Sequence, residues 1–180
     1  MIPDPPHLAL LRSRATLVYL PSRLEDPSKG LATVPVLLVR TGRTTCALPL
    51  SSVVVTMRPL PISPLSGMPP FVAGGAVVRG EPVPVVDLGA LVAGVAAEAP
   101  GRFVLLRVGE RHAALAADAV VGVAQLAPGA SAGASVLSGA AAGAVDSLGA
   151  LDGELLLVLR AATIVPEDAW EALRALPGAA

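Results

Sequence analysis

Cysteine and histidine are nearly missing from this chain, and their scarcity excludes several kinds of site. The 180 residues include one cysteine, Cys46, and two histidines, His7 and His112. A single cysteine cannot form an internal disulfide framework, and it fits a reducing compartment. No pair of histidines or cysteines has the spacing of a metal site, and no glycine-rich phosphate loop is present, so the sequence predicts no metal and no cofactor.

Charged and aromatic residues are also few. Charged residues make up 15% of the chain and the formal net charge is −1, which argues against nucleic acid as a partner. With 2% aromatic and 53% hydrophobic residues, the core must consist mainly of valine, leucine and alanine. The uncharged stretch from Ala119 to Val145 contains Pro128 and several glycines, which favours loop and strand ends over a membrane span. Because the N-terminus also lacks a signal-peptide pattern, we expect a cytoplasmic protein with no direct membrane insertion.

Motifs for catalysis are weak. Residues Gly129–Gly133 match the nucleophile-elbow pattern of serine hydrolases, with Ser131 at its centre. In that fold the triad histidine follows the serine, whereas His7 and His112 both precede it. A small serine hydrolase is therefore kept as an alternative and not as the main hypothesis. We expect Cys46 to be a small buried residue of a strand and His112 to be a surface strand residue.

The residues that are abundant favour short strands and turns, since the chain has 18 glycines and 18 prolines. The runs Gly74–Val78 and Val83–Asp87 flank a turn at Arg79 and Gly80. These residues predict a β-hairpin with Arg79 at its tip, where Gly80 supplies the positive φ of a tight turn. The prolines of the stretch Pro82–Pro84 cannot donate to a ladder, so the second strand should lie at a sheet edge or pair on one side only.

Two aspartates, Asp87 and Asp118, fall where strands end or are interrupted. A carboxylate in such a position usually accepts hydrogen bonds from the backbone that follows it. We therefore expect structural roles for both side chains, because nothing in the sequence indicates that they share a cleft.

The chain repeats itself weakly. The segment Val36–Gly42 has a counterpart 67 positions later, Phe103–Gly109, and in both an apolar strand ends at a glycine turn. The turn at Arg79–Gly80 has a counterpart at Asp152–Gly153. The pattern predicts two similar small β units built from hairpins. About five strands closing into a barrel would remove the exposed edges of each unit.

Three segments lie outside these units. Residues 1–33 are interpreted as an extension, and residues 127–150, which are rich in Ala, Gly and Ser, as a long mobile loop. Pro166 is followed by acidic residues and by an apolar stripe that includes Trp170. This order predicts a C-terminal helix packed against the β structure, with residues 166–180 forming the helix and a tail.

From Val34 to Ala161 the chain resembles the CheW-like family of chemotaxis coupling proteins. The most specific block is Arg79–Gly80 followed by Pro84–Leu88, which is similar to the family pattern Arg-Gly-x-x-x-Pro-Val-x-Asp-Leu. The segment Ala114–Val123 is similar to a later family segment. The chain departs from the pattern, which commonly has acidic residues or asparagine, at Val55, Val77 and Arg160.

The resemblance implies an all-β fold of two SH3-like five-stranded β-barrels with a short N-terminal extension and a C-terminal helix. The CheW-like domain would span residues 34–165. We expect the first barrel to comprise about residues 34–80 plus 154–165, and the second about residues 81–150.

The resemblance further implies a noncatalytic adaptor. It would join the regulatory domain of a CheA-type histidine kinase to the cytoplasmic tip of a methyl-accepting chemoreceptor, in the cytoplasm and recruited to membrane receptor arrays. A CheW-like scaffold for another signalling pathway and a self-assembling subunit are the alternatives. Matching positions assign partner binding to Val53, Val54, Val55, Gly74, Arg79 and Gly80.

Overall fold

Ten strands and two short helices form most of the regular structure in the part of the chain that the computed structural model describes, residues 33–126, 143–151 and 154–175. The strands are β1 (Val34–Thr41), β2 (Thr44–Pro49), β3 (Val53–Met57), β4 (Val72–Val78), β5 (Glu81–Asp87), β6 (Arg102–Val108), β7 (Arg111–Ala117), β8 (Ala119–Leu126), β9 (Val145–Leu151) and β10 (Glu154–Leu159). The helices are α1 (Leu88–Ala93) and α2 (Glu167–Arg174). The predictions for residues 1–32 and for the Ser131 motif lie outside the described residues.

The strands of the described residues form two five-stranded sheets, which confirms the predicted all-β fold class. Sheet A has the strand order β8-β1-β2-β10-β9, and sheet B has the order β3-β6-β7-β5-β4. Helix α2, the predicted C-terminal helix, packs on β5 of sheet B through its buried residues Trp170 and Leu173.

The weak sequence repeat corresponds to equivalent strand registers. Leu37 pairs with Leu48 in the β1–β2 hairpin, and the residues 67 positions later, Val104 and Leu115, pair in the β6–β7 hairpin. The β4–β5 and β9–β10 hairpins also correspond, and in each the second strand joins its sheet by a parallel pairing, β5 with β7 and β10 with β2. The chain is therefore a structural duplication in which strands β1–β5 are equivalent to strands β6–β10.

The expected division of the chain between the two barrels is wrong, because each half of the duplication completes the sheet of the other half. Sheet B is formed by β3–β7, whereas sheet A combines β1 and β2 with β8–β10. The chain leaves sheet A at the 3₁₀ turn Leu50–Ser52 and returns to it at Asp118, not near residues 80 and 150. A hairpin is stabilised locally and stays intact, so the change of sheet falls between the second and third strand of each half.

Two smaller expectations are also corrected. The segment 127–150 is not a loop throughout, because β9 begins at Val145. Strand β5 is not at a sheet edge, since it pairs with both β4 and β7. Strand β5 pairs with β7 only from Val85 to Asp87. Its two prolines therefore lie in the part of the strand that pairs with β4 alone, as expected for residues that cannot donate to a ladder.

The largest apolar cluster joins the two sheets. It contains residues of sheet A such as Val39 and Leu48 together with residues of sheet B such as Leu106 and Leu115, and Trp170 of α2 belongs to it. Alternate residues of the same strands face two smaller clusters, one within each sheet. Because strands such as β1 and β6 are covered on both faces, their sequences are continuous apolar runs without polar alternation.

The shared cluster predicts that both sheets unfold as one unit. We expect Leu48→Ala, a truncation in sheet A, to lower the free energy of unfolding by about 2–5 kcal/mol. Urea unfolding followed by the fluorescence of Trp170, which packs on sheet B, should report this loss and should coincide with the transition seen by circular dichroism. A Trp170 transition left unchanged by Leu48→Ala would contradict the prediction.

Candidate functional site

The turn between β4 and β5 has an unusual backbone conformation. Arg79 has φ +53° and Gly80 has φ +88°, and both lie between the paired residues Val78 and Glu81. Positive φ at both central positions is the mark of a type I′ hairpin turn, in which non-glycine residues are disfavoured at the first position unless they are Asn or Asp. Arg79 is the one non-glycine residue with positive φ in the described part of the chain.

A cleft of about 170 Å³ lies beside this turn, and we call it the hairpin cleft. Its lining residues come from β3–β7 of sheet B and from the turn: Val54, Val78, Arg79, Glu81, Val83, Leu105 and His112. The fold thus brings Val54 of β3 to the same cleft as Arg79, and the assignment of both to partner binding stays a prediction. It also adds His112, whose Nδ1 lies 3.5 Å from Oε2 of Glu81.

The three valines of β3 have different surroundings. Val53 packs against the cluster between the sheets, and Val55 packs against the cluster of sheet B. Val54 falls at a register irregularity between them and is 43% exposed. Of the three, Val54 is therefore the side chain that a partner could contact most directly.

Gly74 is buried, and its position explains why glycine is needed there. It has φ +144°, and a Cβ atom on it would overlap the carbonyl oxygen of Ser63 and lie 2.8 Å from Cγ2 of Ile62. Gly75 next to it exchanges two backbone hydrogen bonds with Ser63, both of 2.8 Å. Gly74 thus allows the segment around Ser63 to lie against β4, and its assignment to partner binding stays a prediction.

The positions at which the chain departs from the family pattern have clear environments. Arg160 donates two hydrogen bonds to Oδ1 of Asp146, the shorter of 2.6 Å, so its charge is paired within the chain. Val77 is 64% exposed and lines an apolar cleft with Leu60 and Leu173. Both departures are compatible with the fold.

Sequence reasoning missed the contact that holds helix α2. Arg111, the first residue of β7, donates from Nη1 and Nη2 to the two carboxylate oxygens of Glu167 at 2.7 and 2.9 Å. Its guanidinium carbon also lies 4.3 Å from the ring centroid of Trp170. The sequence pattern of the C-terminal helix includes Glu167 and Trp170. Arg111 lies 56 positions before Glu167, so no local pattern links it to that helix.

The ion pair shifts the titration of both partners. The hydrogen bonds from Arg111 lower the pKa of Glu167, and the same contact raises the pKa of Arg111. Because the pKa of Glu167 is lowered in the folded state, its ion pair contributes fully to stability at pH values above the ordinary glutamate pKa. This contribution is lost as the pH falls through the lowered pKa. Charge pairing at α2 is therefore intact at neutral pH.

The two aspartates have structural roles, one of them different from the role expected. Asp87 accepts hydrogen bonds from the backbone N–H groups of Ala90 and Ala97, which confirms its predicted role at a strand end. Asp118 instead accepts from the N–H of Gly42 at 2.6 Å, in the β1–β2 turn. It thereby ties the point where the chain re-enters sheet A to a turn that is distant in sequence.

Cys46 is fully buried in β2, as predicted. Burial raises the pKa of its thiol to about 12, so the reactive thiolate is suppressed at neutral pH. The ranges 33–126, 143–151 and 154–175 contain no group of three acidic, histidine or cysteine side chains that could hold a metal ion. None of the helices in those ranges has the length and apolar character needed to cross a membrane.

Two of three comparisons with known proteins find a match, and both matches are to CheW-like proteins. The family model described as CheW-like domain matches residues 35–169. Among solved structures, the scaffolding protein TtCheW from Thermoanaerobacter tengcongensis superposes with a TM-score of 0.61 at 17% sequence identity, covering 72% of this chain and 90% of that chain. None of the curated protein sequences compared with the chain matches it.

The environments of two hairpin glycines predict different costs of substitution. We expect Gly74→Ala to lower the free energy of unfolding by about 2–5 kcal/mol, because overlap with Ser63 adds to backbone strain. Gly80→Ala is the matched control, since a Cβ atom there meets nothing within 4 Å, and it should cost about 1–2 kcal/mol from its positive φ alone. Equal costs in urea unfolding would show that Ser63 moves aside without penalty.

The burial of Cys46 predicts protection of its thiol. At pH 8 an aromatic disulfide reagent should label Cys46 only in unfolded molecules, at a rate proportional to the unfolded fraction, because both access and thiolate formation require exposure. Leu48→Ala should therefore accelerate labelling in proportion to its effect on stability. Rapid labelling of the folded wild-type protein would contradict this assignment.

Proposed function

The chain belongs to the CheW-like family, and on this premise we propose that it is a noncatalytic adaptor of chemotaxis signalling. Its partners are the regulatory domain of a CheA-type histidine kinase and the cytoplasmic tip of a methyl-accepting chemoreceptor. The proposed location is the cytoplasm, with recruitment to membrane receptor arrays. The absence of catalysis in this proposal rests on family membership and on the protein-binding character of the site described next.

The observation that carries the proposal is the conformation of Arg79. A non-glycine residue in the left-handed region costs about 1–2 kcal/mol, and such strain persists where the surrounding structure enforces it. Glycine at this position would remove the strain, yet the chain has arginine. We therefore infer that the arginine side chain has a role that outweighs the strain. Within the described residues, Arg79 makes no hydrogen bond or ion pair and is exposed.

The surroundings of Arg79 fit a protein partner. The guanidinium group can donate two parallel hydrogen bonds to a carboxylate of the partner. Val54, which is 43% exposed, offers apolar surface in the same cleft, which the buried side chains of Val83 and Leu105 also line. An exposed apolar side chain beside an exposed arginine can contact one face of an amphipathic segment, such as a helix of a receptor tip.

Substitution of Arg79 separates binding from stability. We expect Arg79→Gly to leave the urea midpoint unchanged or raise it, because glycine relieves the strain, while affinity for the partner falls about tenfold, the loss of about 1.4 kcal/mol. Isothermal titration with a purified kinase regulatory domain and with a receptor-tip fragment measures the affinity. Arg43→Gly is the control, since Arg43 is exposed in the β1–β2 turn of sheet A, and it should bind like the wild type.

Other outcomes of the titration have clear meanings. If the wild-type protein binds neither partner at high micromolar concentration, the proposed function is wrong. If it binds the kinase domain and not the receptor tip, the alternative of a CheW-like scaffold for another pathway is favoured. If Arg79→Gly unfolds at a much lower urea concentration, the arginine is structural and the assignment of the site fails.

A further inference from the structure

Strand β8 lies at one edge of sheet A and exposes apolar side chains. It pairs with β1, and no second strand among the described residues pairs with it. Alternate residues of an edge strand direct their N–H and C=O groups away from the sheet, where these groups can pair with another strand. The exposed residues of β8 are Val121, Val123 and Gln125, and the two valines are 56% and 60% exposed. Backbone groups available for pairing therefore lie beside exposed apolar side chains.

The other three sheet edges in the described part of the chain each have a feature that discourages pairing. Strand β4 is covered by Ser63, whose backbone exchanges two hydrogen bonds of 2.8 Å with Gly75. Strand β9 carries the charge of Asp146, and β3 is followed by Arg58. Covering segments and charged side chains are usual means by which proteins protect a sheet edge. Within the same residues β8 has neither, because no residue from Ala119 to Leu126 is charged.

The duplication supplies an internal comparison for β8. Strand β3 of sheet B is its equivalent, and both strands pair at an edge with the first strand of a hairpin. At a spacing of 67 positions, Val123 corresponds to Thr56 and Gln125 corresponds to Arg58. The two edges thus have the same geometry and different chemistry, because the polar and charged positions of β3 are uncharged in β8.

The regular part of β8 is its second half. The register with β1 shifts between Leu38 and Val39, and this irregularity leaves Val121 without a paired residue. A bulge of this kind disturbs further pairing around Val121. From Gly122 to Leu126 the register is continuous. Residues 122–126 are therefore the part of the edge that is best suited to accept another strand.

We infer that two copies of the chain associate by antiparallel pairing of residues 122–126 with the same residues of a second copy. The two-fold axis passes through the contact at Ala124. Val123 of each copy then lies opposite Gln125 of the other copy and diagonal to the other Val123. The pairing joins two five-stranded sheets into one continuous sheet. This inference goes beyond the proposed function and does not depend on it.

The distribution of charge favours a second copy as the occupant of this edge. In a two-fold contact, charged groups near the axis would face the same charges of the other copy. No residue of 122–126, or of 34–38 in the paired part of β1, is charged. The nearest charges along these two strands, Arg40 and Asp118, lie at the Ala119 end of β8, and antiparallel pairing places those of the two copies at opposite ends of the contact. Like charges therefore do not oppose self-pairing, and the edge offers no charge that would select a charged segment.

Lysine at position 123 tests the inference. Sedimentation velocity of the full chain from low to high micromolar concentration should show a reversible monomer–dimer equilibrium, because one strand from each copy forms a small contact. We expect Val123→Lys to weaken dimerisation about tenfold or more, since it brings two like charges together at the edge. Thr56→Lys is the matched control, because it places the same charge at the equivalent exposed position of β3, and it should dimerise like the wild type.

A mixture of two charge variants tests whether equivalent strands meet. Val123→Lys and Val123→Glu should each dimerise weakly, whereas an equal mixture of the two should regain the dimer, because opposite charges then lie across the contact. Urea unfolding of each variant should stay close to that of the wild type, since Val123 is exposed in the monomer. No residue of β8 lines the hairpin cleft, so Val123→Lys should bind the kinase regulatory domain with wild-type affinity.

Three outcomes would overturn the inference. The first is a wild-type chain that stays monomeric at high micromolar concentration, and the second is a dimer that Val123→Lys does not weaken. The third is a large loss of stability in Val123→Lys, which would show that the chain itself covers this edge. The proposed function stands in all three cases if Arg79→Gly still weakens partner binding. A wild-type dimer that is sensitive to Val123→Lys but binds neither proposed partner would support this inference while the proposed function fails.

Discussion

Exchange of strands between the two halves of the duplication is the constraint on which the rest of the structure depends. Since β3–β5 complete the sheet begun by β6 and β7, neither half has a sheet of its own without the other. The apolar cluster between the sheets then contains residues of both halves, including Leu48 and Leu115. A hairpin alone is marginal in water, whereas ten strands around a shared core can hold strained features elsewhere.

The hairpin turn is one such strained feature. Val78 and Val83, close to its two ends, are buried in the cluster of sheet B, and the far end of β5 is fixed by Asp87 at the start of α1. These contacts leave the two residues of the turn little freedom, so Arg79 is held at positive φ although arginine disfavours it. The cleft beside Arg79 is rigid for the same reason, since its floor is the surface of the sheet.

The sequence correctly predicted the features that depend on residues close together in the chain. It did not predict which distant strands pair with each other. The hairpin at Arg79, the burial of Cys46 and the helix containing Trp170 all follow from residues within a few positions of one another. The division of the strands between the two sheets does not follow from nearby residues. The repeat shows that β3 and β8 are equivalent, but it does not show that β3 pairs with β6 and β8 with β1. For the same reason Val54 was placed in the site by its family position, whereas His112 and Arg111 required the sheet.

The two halves share a fold, and helix α2 docks where they differ. Arg111 begins β7, and the equivalent position in β2 is Thr44, which cannot pair with Glu167 in the same way. Gly75 leaves room for Leu173, and the equivalent position in β9 is Leu148, whose side chain would fill that space. Helix α2 can therefore dock on sheet B and not in the equivalent place on sheet A. A nearly symmetric scaffold thus carries helix α2 on one of its two sheets, the same sheet that forms the hairpin cleft.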